Sequence, residues 1–430
     1  MAKPLPLGAE DLKLGSGVVA LSREFIRLMA GARSEPGRVK ADQMARFLEM
    51  VEHARRNVPM YRELWAGLPE NDPPPIIDKP AIRGFTLEAR MSATPPPSSR
   101  KLLTSGSSGE PIEVIYPPGF ARWQGLIQAR IDLSRGVRPW QRQASLSLSP
   151  DRRPKLGVVA LLRNRLLALP LDLPADEMAG RISAFRPRML RGHPHLLLEI
   201  GEQLDGECRP RIGTWGESLD SHTRAALNER YGSPPMDLYG TTEVGVVGWQ
   251  CSQSDIYHVS HESVLVEILD PGGRPVEPGE SGEVVLSGLG NPLMPFIRYR
   301  IGDQARWSDR PCRCGYKLPG LSAVEGRALD WITSGVGTLV APEHLWLSVR
   351  PDPSDADSLM PLVKRYQVRQ LSSGTLTLVL ELLKPAPQDL LDRIERAYAD
   401  FLHVPVEVRV VERMEHERGT KFRLISSELS

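Results

Sequence analysis

Apolar residues recur at helical spacing from Ala41 to Leu68 (ADQMARFLEMVEHARRNVPMYRELWAGL), and Asn57-Val58-Pro59 interrupts them, so the pattern predicts two consecutive amphipathic helices. The proline clusters Asp72-Pro-Pro-Pro-Ile and Thr94-Pro-Pro-Pro-Ser read as spacers that deliver the chain to a Ser/Gly-rich stretch at Thr104. Between Gly157 and Asp237, short apolar runs (LGVVALL, PRMLRG) alternate with helical patterns (PHLLLEIGEQL, SHTRAALNERY), which predicts βαβ units on a parallel sheet. From Asp255 to Trp307 the texture becomes β-rich (SVLVEILD, GEVVLSGL, FIRYRIGDQARW), broken by turns at Pro271-Gly-Gly and Pro278-Gly279-Glu-Ser-Gly282. Beyond Gly326, a strand (TLTLVLELL), a helix (PQDLLDRIERAYADFL) and a strand (VEVRVVERM) suffice for a small α+β domain. The expected class is α/β, with the domain boundary near Asp330.

At 430 residues the chain is too long for one typical core, in keeping with a large domain and a smaller one. Apolar residues (41%) and charged residues (25%) are those of a folded protein. A net charge of +1 gives no overall pull towards nucleic acid or anionic membrane, so neither is an expected partner. No run approaches the ~20 apolar residues of a membrane span, and the opening MAKPLPLGAEDLKLG lacks the layout of a secretion signal, so a cytoplasmic protein is expected. Four cysteines are few for a disulfide scaffold and suit a reducing compartment.

Three segments carry candidate chemistry. Thr104-Ser-Gly-Ser-Ser-Gly-Glu-Pro111 can wrap N–H groups and hydroxyls around phosphate oxygens, although alone such a run is more often a flexible surface loop, and it lacks the Gly-Lys-Ser/Thr of a P-loop. Asp237-Leu-Tyr-Gly-Thr-Thr-Glu-Val-Gly245 puts an aromatic ring, hydroxyls and a carboxylate where a base, a phosphate and Mg²⁺ could be met, or is a plain turn. Arg298-Tyr-Arg-Ile-Gly-Asp303 offers a carboxylate that could accept from both hydroxyls of a ribose, or forms a salt-bridged turn.

Taken in order, NVPMYREL, IIDKPAIR, TSGSSGEP, TWGESL, LYGTTEVG, RYRIGD, CRCG, EGRALD and ERGTKFR resemble the phenylacetate-CoA ligase-like branch of the adenylate-forming superfamily, from about Ala41 to Ser430. The resemblance implies a large N-terminal AMP-binding domain (1–329, helical lead-in 41–68, β-rich subdomain 255–325) and a small mobile α+β domain (330–430). It implies ATP- and Mg²⁺-dependent adenylation of a small organic acid, aryl or apolar, then transfer to CoA. Residue by residue it implies that Thr104, Ser105, Gly106, Ser107, Ser108 and Gly109 close over the ATP phosphates. Gly216 and Glu217 would line the adenine site, Tyr239, with Gly240 and Thr241 beside it, would stack on adenine, and Asp303 would hold the ribose. Arg327 would lie near phosphate or ribose, Thr242 would contact phosphate, and Glu243 would hold Mg²⁺. Lys421 would reach the carboxylate and α-phosphate. By the same analogy Trp215, Tyr239, Gly240, Val244, Gly245 and Trp249 would line the acyl pocket, unless these side chains are simply core.

The chain departs from the family pattern at three places. Glu110 replaces a common lysine in the phosphate loop, Ala328-Leu329-Asp330 alters the usual hinge, and Ser334-Gly335 stands where many relatives carry a basic residue. The last two keep an amine or a carrier-protein thiol open as acceptor in place of CoA. A scaffold without catalysis is a further alternative, and a homodimer is left open. Cys312-Arg-Cys314-Gly, with Cys251 and His258 upstream, offers three thiolates and an imidazole suited to a structural Zn²⁺, with His261 as a substitute for His258. Cys208 is expected to be an ordinary buried thiol, and His193 and His195 are read as structural.

Overall fold

The computed structural model describes residues 25–26, 28–29, 34–70, 72–104, 111–138, 140–146, 165–327, 332–340, 362–414, 422 and 424–428. In chain order, helices α1 (Pro36–Asn57), α2 (Pro59–Leu64) and α3 (Lys79–Arg83) precede strands β1 (Arg100–Leu103) and β2 (Glu113–Tyr116) and helix α4 (Pro118–Ser134). An alternating stretch follows, with β3 (Gln143–Leu146), β4 (Leu166–Leu169), α5 (Ala175–Phe185), β5 (Met189–Gly192), α6 (Pro194–Gln203), β6 (Arg211–Trp215) and α7 (Ser221–Tyr231). Strands β7 (Met236–Thr241), β8 (Gly245–Gln250), β9 (Tyr257–Val259), β10 (Val264–Leu269), β11 (Ser281–Gly288), β12 (Tyr299–Trp307) and β13 (Gly320–Arg327) form the β-rich stretch. The last part holds β14 (Ile332–Thr333), β15 (Leu339–Val340), β16 (Val363–Gln370), β17 (Leu376–Leu382), α8 (Gln388–Leu402), β18 (Val406–Val411) and β19 (Ile425–Ser427).

The chain divides into two compact units, the first made of 1–141, 154–165 and 236–324 and the second of 142–153, 166–235 and 325–430. The boundary expected at Asp330 lies outside the described residues. In the first unit the strands run β10-β11-β12-β13-β9-β8-β7, and the pairs β10–β11, β11–β12, β13–β9, β8–β9 and β7–β8 are antiparallel. The expected helix break is where the sequence puts it. Pro59, with no N–H to give, starts α2, and the Val58 N–H closes α1 on the Ala54 carbonyl. Tyr61 ties this lead-in to the β-rich part. Its hydroxyl donates to the Pro295 carbonyl at 2.9 Å and accepts from the Ile297 N–H at 3.0 Å, which leaves a fully buried phenol satisfied.

In the second unit β6-β5-β3-β4 is all parallel, as the alternation of apolar runs and helices predicts, with α5 and α6 as connections. The run LGVVALL lies outside the described residues. The C-terminal sheet, β18-β17-β16-β19, buries one face under α8. The α8 stripe Leu390, Ile394, Tyr398 and Leu402 repeats every four residues and is buried throughout. β17 and β18 are parallel because α8 crosses between them.

A buried ion pair fixes this sheet. Glu381 on β17 takes the Arg365 guanidinium (2.8 Å), the Lys364 ammonium (3.1 Å) and the Met414 N–H (2.8 Å). Burial alone would raise the Glu381 carboxyl, but the Met414 N–H and the two cations outweigh it and hold the group below its ordinary value. Glu381→Ala is expected to destabilise the protein by about 3–5 kcal/mol, because it strands Arg365 in the interior. A denaturant titration would show this as a lower midpoint, with Glu407→Ala, in an exposed pair with Arg409, as the unaffected control.

Candidate functional site

The two strands that flank the Ser/Gly-rich stretch pair with each other. β1 and β2 pair antiparallel from Arg100↔Tyr116 to Leu103↔Glu113, and Thr104 extends the pairing: its N–H donates to the Ile112 carbonyl at 3.0 Å and its Oγ accepts the Ile112 N–H at 2.9 Å. Thr104 is thus a buried anchor at the loop's base. Ser105, Gly106, Ser107, Ser108 and Gly109 lie outside the described residues, as does Lys421, and of Arg327 only the backbone, at the end of β13, is described.

Tyr239, Gly240 and Thr241 end β7, and Thr242 and Glu243 form the turn into β8, both half-buried. The Tyr239 hydroxyl donates to Asp303 Oδ2 at 2.8 Å, so the residue expected against adenine and the one expected at the ribose are bound to each other. The phenol fixes one carboxylate oxygen of Asp303 on β12, and thereby the direction of the other. Sequence reasoning missed two supports of this turn, Tyr116 and Gln124. The Tyr116 hydroxyl donates to the Thr242 carbonyl at 2.8 Å. Gln124 accepts the Val246 N–H at 2.9 Å and lies so close beneath Gly245 (φ +83°) that a Cβ there would stand 2.4 Å from its carboxamide. Gly245 is therefore required by backbone shape. Neither support carries a local motif; each is set by which elements pack together.

Three of the residues assigned to the acyl pocket, Tyr239, Val244 and Trp249, are buried in the core. Val244 is buried, and the buried Trp249 ring carries the Arg130 guanidinium on its face (4.7 Å) and packs against His258 and Tyr316.

In the second unit β6 ends at Trp215, and Gly216 (φ +85°) turns the chain into Glu217. The turn from β5 into α6 brings His193 and His195 to the same carboxylate. His193 Nδ1 lies 3.3 Å from Glu217 Oε1, and His195 Nδ1 lies 3.2 Å from Oε2. Glu217 Oε1 also accepts the N–H of Phe422 at 2.7 Å, and the Phe422 ring lies 4.0 Å from that of His195. The Trp215 ring meets His193 edge-on at 4.8 Å. Burial would raise the Glu217 carboxyl, but hydrogen bonds and charge from His193 and His195 overcome it and hold the group well below the usual carboxylate range. Gly216 and Glu217, expected at adenine, are thus a tight turn and a carboxylate engaged by two imidazoles and a backbone amide. Both histidines are buried.

The cysteine cluster assembles through strand pairing. Cys251 follows β8, His258 lies on β9 opposite Trp249, and Cys312 and Cys314 lie in the turn between β12 and β13. One ligand atom from each of the four lies within 4.8 Å of all the others, with Cys251 and Cys312 sulfurs 3.4 Å apart and Cys314 Sγ 3.2 Å from His258 Nε2. His261 is not an alternative ligand here: its ring is bound to Gln43 and the Pro319 carbonyl. Burial, then the charges of Arg135 and Arg130, push His258 down to about 4, so its imidazole is neutral near pH 7, the form a metal needs. Three sulfurs and one imidazole nitrogen at this closeness fit a tetrahedral zinc centre. Cys208 sits apart in the core around α5 and α6, where burial raises its thiol.

No family model matches the chain. It is 25% identical over 321 residues (68% of this chain, 72% of the relative) to phenylacetate-coenzyme A ligase of Escherichia coli (strain K12). To the enzyme of the same name from Aromatoleum evansii it is 29% identical over 320 residues (68% and 71%). Among solved structures, 2-hydroxyisobutyryl-CoA ligase in the postadenylation state with R3-HIB-AMP superposes with a TM-score of 0.73 at 18% identity, covering 92% of this chain and 91% of that one. ATP-bound MatB from Rhodopseudomonas palustris superposes at 0.53 with 17% identity, covering 75% and 66%. The chain is thus similar in sequence to phenylacetate-coenzyme A ligases over 68% of its length, and it shares over 92% of its length the fold of 2-hydroxyisobutyryl-CoA ligase.

Proposed function

We propose that this protein uses ATP to convert a small organic carboxylic acid to an acyl-AMP, releasing pyrophosphate, and then passes the acyl group to CoA. The observation that carries the reading is the Tyr239–Asp303 hydrogen bond. In a chain related to phenylacetate-coenzyme A ligases, it pairs a flat aromatic face with an oriented carboxylate, a combination suited to a nucleoside's base and ribose diol. A carboxylate oxygen of the acid attacks the α-phosphorus, and the bond to the pyrophosphate oxygen breaks as the new one forms. Both partners are anions, so the residues earn their place through charge and position. Thr104 to Gly109 hold the phosphates, Thr242 donates to one of their oxygens, and Lys421 brings a cation to the reacting oxygens. Arg327 adds a second cation near phosphate or ribose, and 330–430 is the small domain that carries Lys421. Glu243 supplies a hard oxygen ligand for Mg²⁺, which neutralises phosphate charge when bound. The thiol of CoA then displaces AMP from the mixed anhydride to give the thioester.

The acid is aryl or apolar in this reading, with Trp215, Gly240 and Gly245 as the pocket residues that are not buried. A second reading, with an amine or a carrier-protein thiol as acceptor, is favoured by Ser334. Its Oγ accepts the Thr338 N–H at 3.0 Å to cap a tight β14–β15 turn, so it takes over nothing from the basic residue common in relatives. Incubation with ATP, an accepted acid and CoA tests the acceptor. Acyl-CoA formed in step with AMP supports the first reading, whereas acyl-AMP that persists in the presence of CoA supports the second. We further propose that Cys251, His258, Cys312 and Cys314 hold one structural zinc.

A further inference from the structure

Glu217 is a buried carboxylate with three partners in the parallel-sheet part of the second unit, and the third partner is the odd one. His193 and His195 come from the neighbouring β5–α6 turn, but the N–H at 2.7 Å belongs to Phe422, 205 positions along the chain. Charge-assisted hydrogen bonds of this length to a buried carboxylate are among the stronger ones in proteins. The peptide bond that carries this N–H is the one that follows Lys421. Two ion pairs, Lys364–Glu202 at 2.9 Å and Arg413–Glu199, join the same C-terminal part to α6, so the Phe422 contact belongs to a docked arrangement of that part. The ion pairs are exposed at one or both ends and contribute little fixity, whereas the Glu217 side chain is 3% exposed.

We propose that Glu217, held by His193 and His195, is a positioning residue for Lys421: it pins the peptide immediately after the lysine during the adenylation half-reaction. The inference rests on the adenylation reading and on the role that reading gives to Lys421. In place of the adenine contact implied by family resemblance, it gives Glu217 a role in the first half-reaction. The two imidazoles fix the carboxylate's plane, one on each oxygen, so that Oε1 faces the amide. A second half-reaction that needs the small domain elsewhere must break this hydrogen bond, so its loss should slow acyl-AMP formation and spare acyl transfer.

The test compares Glu217→Ala, Glu217→Gln, Lys421→Ala and the Glu217→Ala/Lys421→Ala double variant in acid-dependent pyrophosphate exchange. Glu217→Ala is expected to lower kcat by at least ~10-fold with KM for ATP changed less than ~2-fold, because positioning acts on the transition state and not on nucleotide binding. Added to Lys421→Ala, it should cost less than ~2-fold more, since two residues acting through one group are not additive. Gln keeps an oxygen for the Phe422 N–H and is expected to restore most of the rate, which a variant that merely unfolds the site would not do. A raised KM for ATP with kcat intact, or additive losses in the double variant, would overturn the proposal in favour of the adenine role. Hydrogen exchange at the Phe422 amide gives a readout that needs no activity: it should speed up in Glu217→Ala and stay protected in Glu217→Gln. Equal protection in all variants overturns the inference even if wild type is active. Wild type inactive with every acid, but with Glu217-dependent protection of Phe422, overturns the adenylation reading and with it the role claimed for Glu217, leaving only the contact.

Discussion

Lys421→Ala is expected to reduce acid-dependent pyrophosphate exchange by about 10²–10³-fold while leaving the fold intact. The size follows from the chemistry: carboxylate and phosphate repel, the charge between them grows towards the transition state, and a cation placed there stabilises that state more than the separated reactants. The fold should survive because the neighbouring anchors remain. Phe422 and Leu424 are both buried in the C-terminal core, and the Phe422 amide keeps its bond to Glu217. Circular dichroism and the denaturant midpoint should match wild type. Unchanged exchange in a folded Lys421→Ala protein would remove the lysine from the mechanism.

Removal of metal from the cysteine cluster should have the other large effect. Purified protein is expected to hold about one equivalent of zinc, since three thiolates and an imidazole this close suit a closed tetrahedral site. Stripping it under denaturing chelation should leave a protein with a much lower unfolding midpoint, because metal bound only to the folded state stabilises that state. The damage should spread through β8, β9 and the β12–β13 turn, and reach Trp249, whose ring lies against His258. Cys312→Ser should reproduce it. A folded protein without metal, unchanged by chelator, would end the zinc proposal.

Local pattern carried much of the fold. The break at Pro59 and the β17–α8–β18 unit could be read directly, because proline chemistry and four-residue apolar spacing act over short distances. β16 and β19 escaped notice, since their identity as strands depends on pairing with β17 and with each other across the C-terminal part. The site divides in the same way. Tyr239, Asp303 and the Cys251, His258, Cys312 and Cys314 cluster announce themselves by residue type and order. The choice of His258 over His261 required the β8–β9 register, which seats His258 opposite Trp249. The bonds of Glu217 to His193, His195 and Phe422 join segments with no common motif, and Gln124 beneath Gly245 is invisible without the packing of α4. What the sequence hid was therefore mostly partnership between residues already in plain view.

The central claim, adenylation of a carboxylic acid, is tested most directly by pyrophosphate exchange into ATP with Mg²⁺ across aryl, aliphatic and amino acids, without CoA. Exchange that depends on one class of acid and is lost in Lys421→Ala is the predicted result. Silence across the whole panel from folded, zinc-loaded protein would contradict the claim and leave the fold serving as a scaffold.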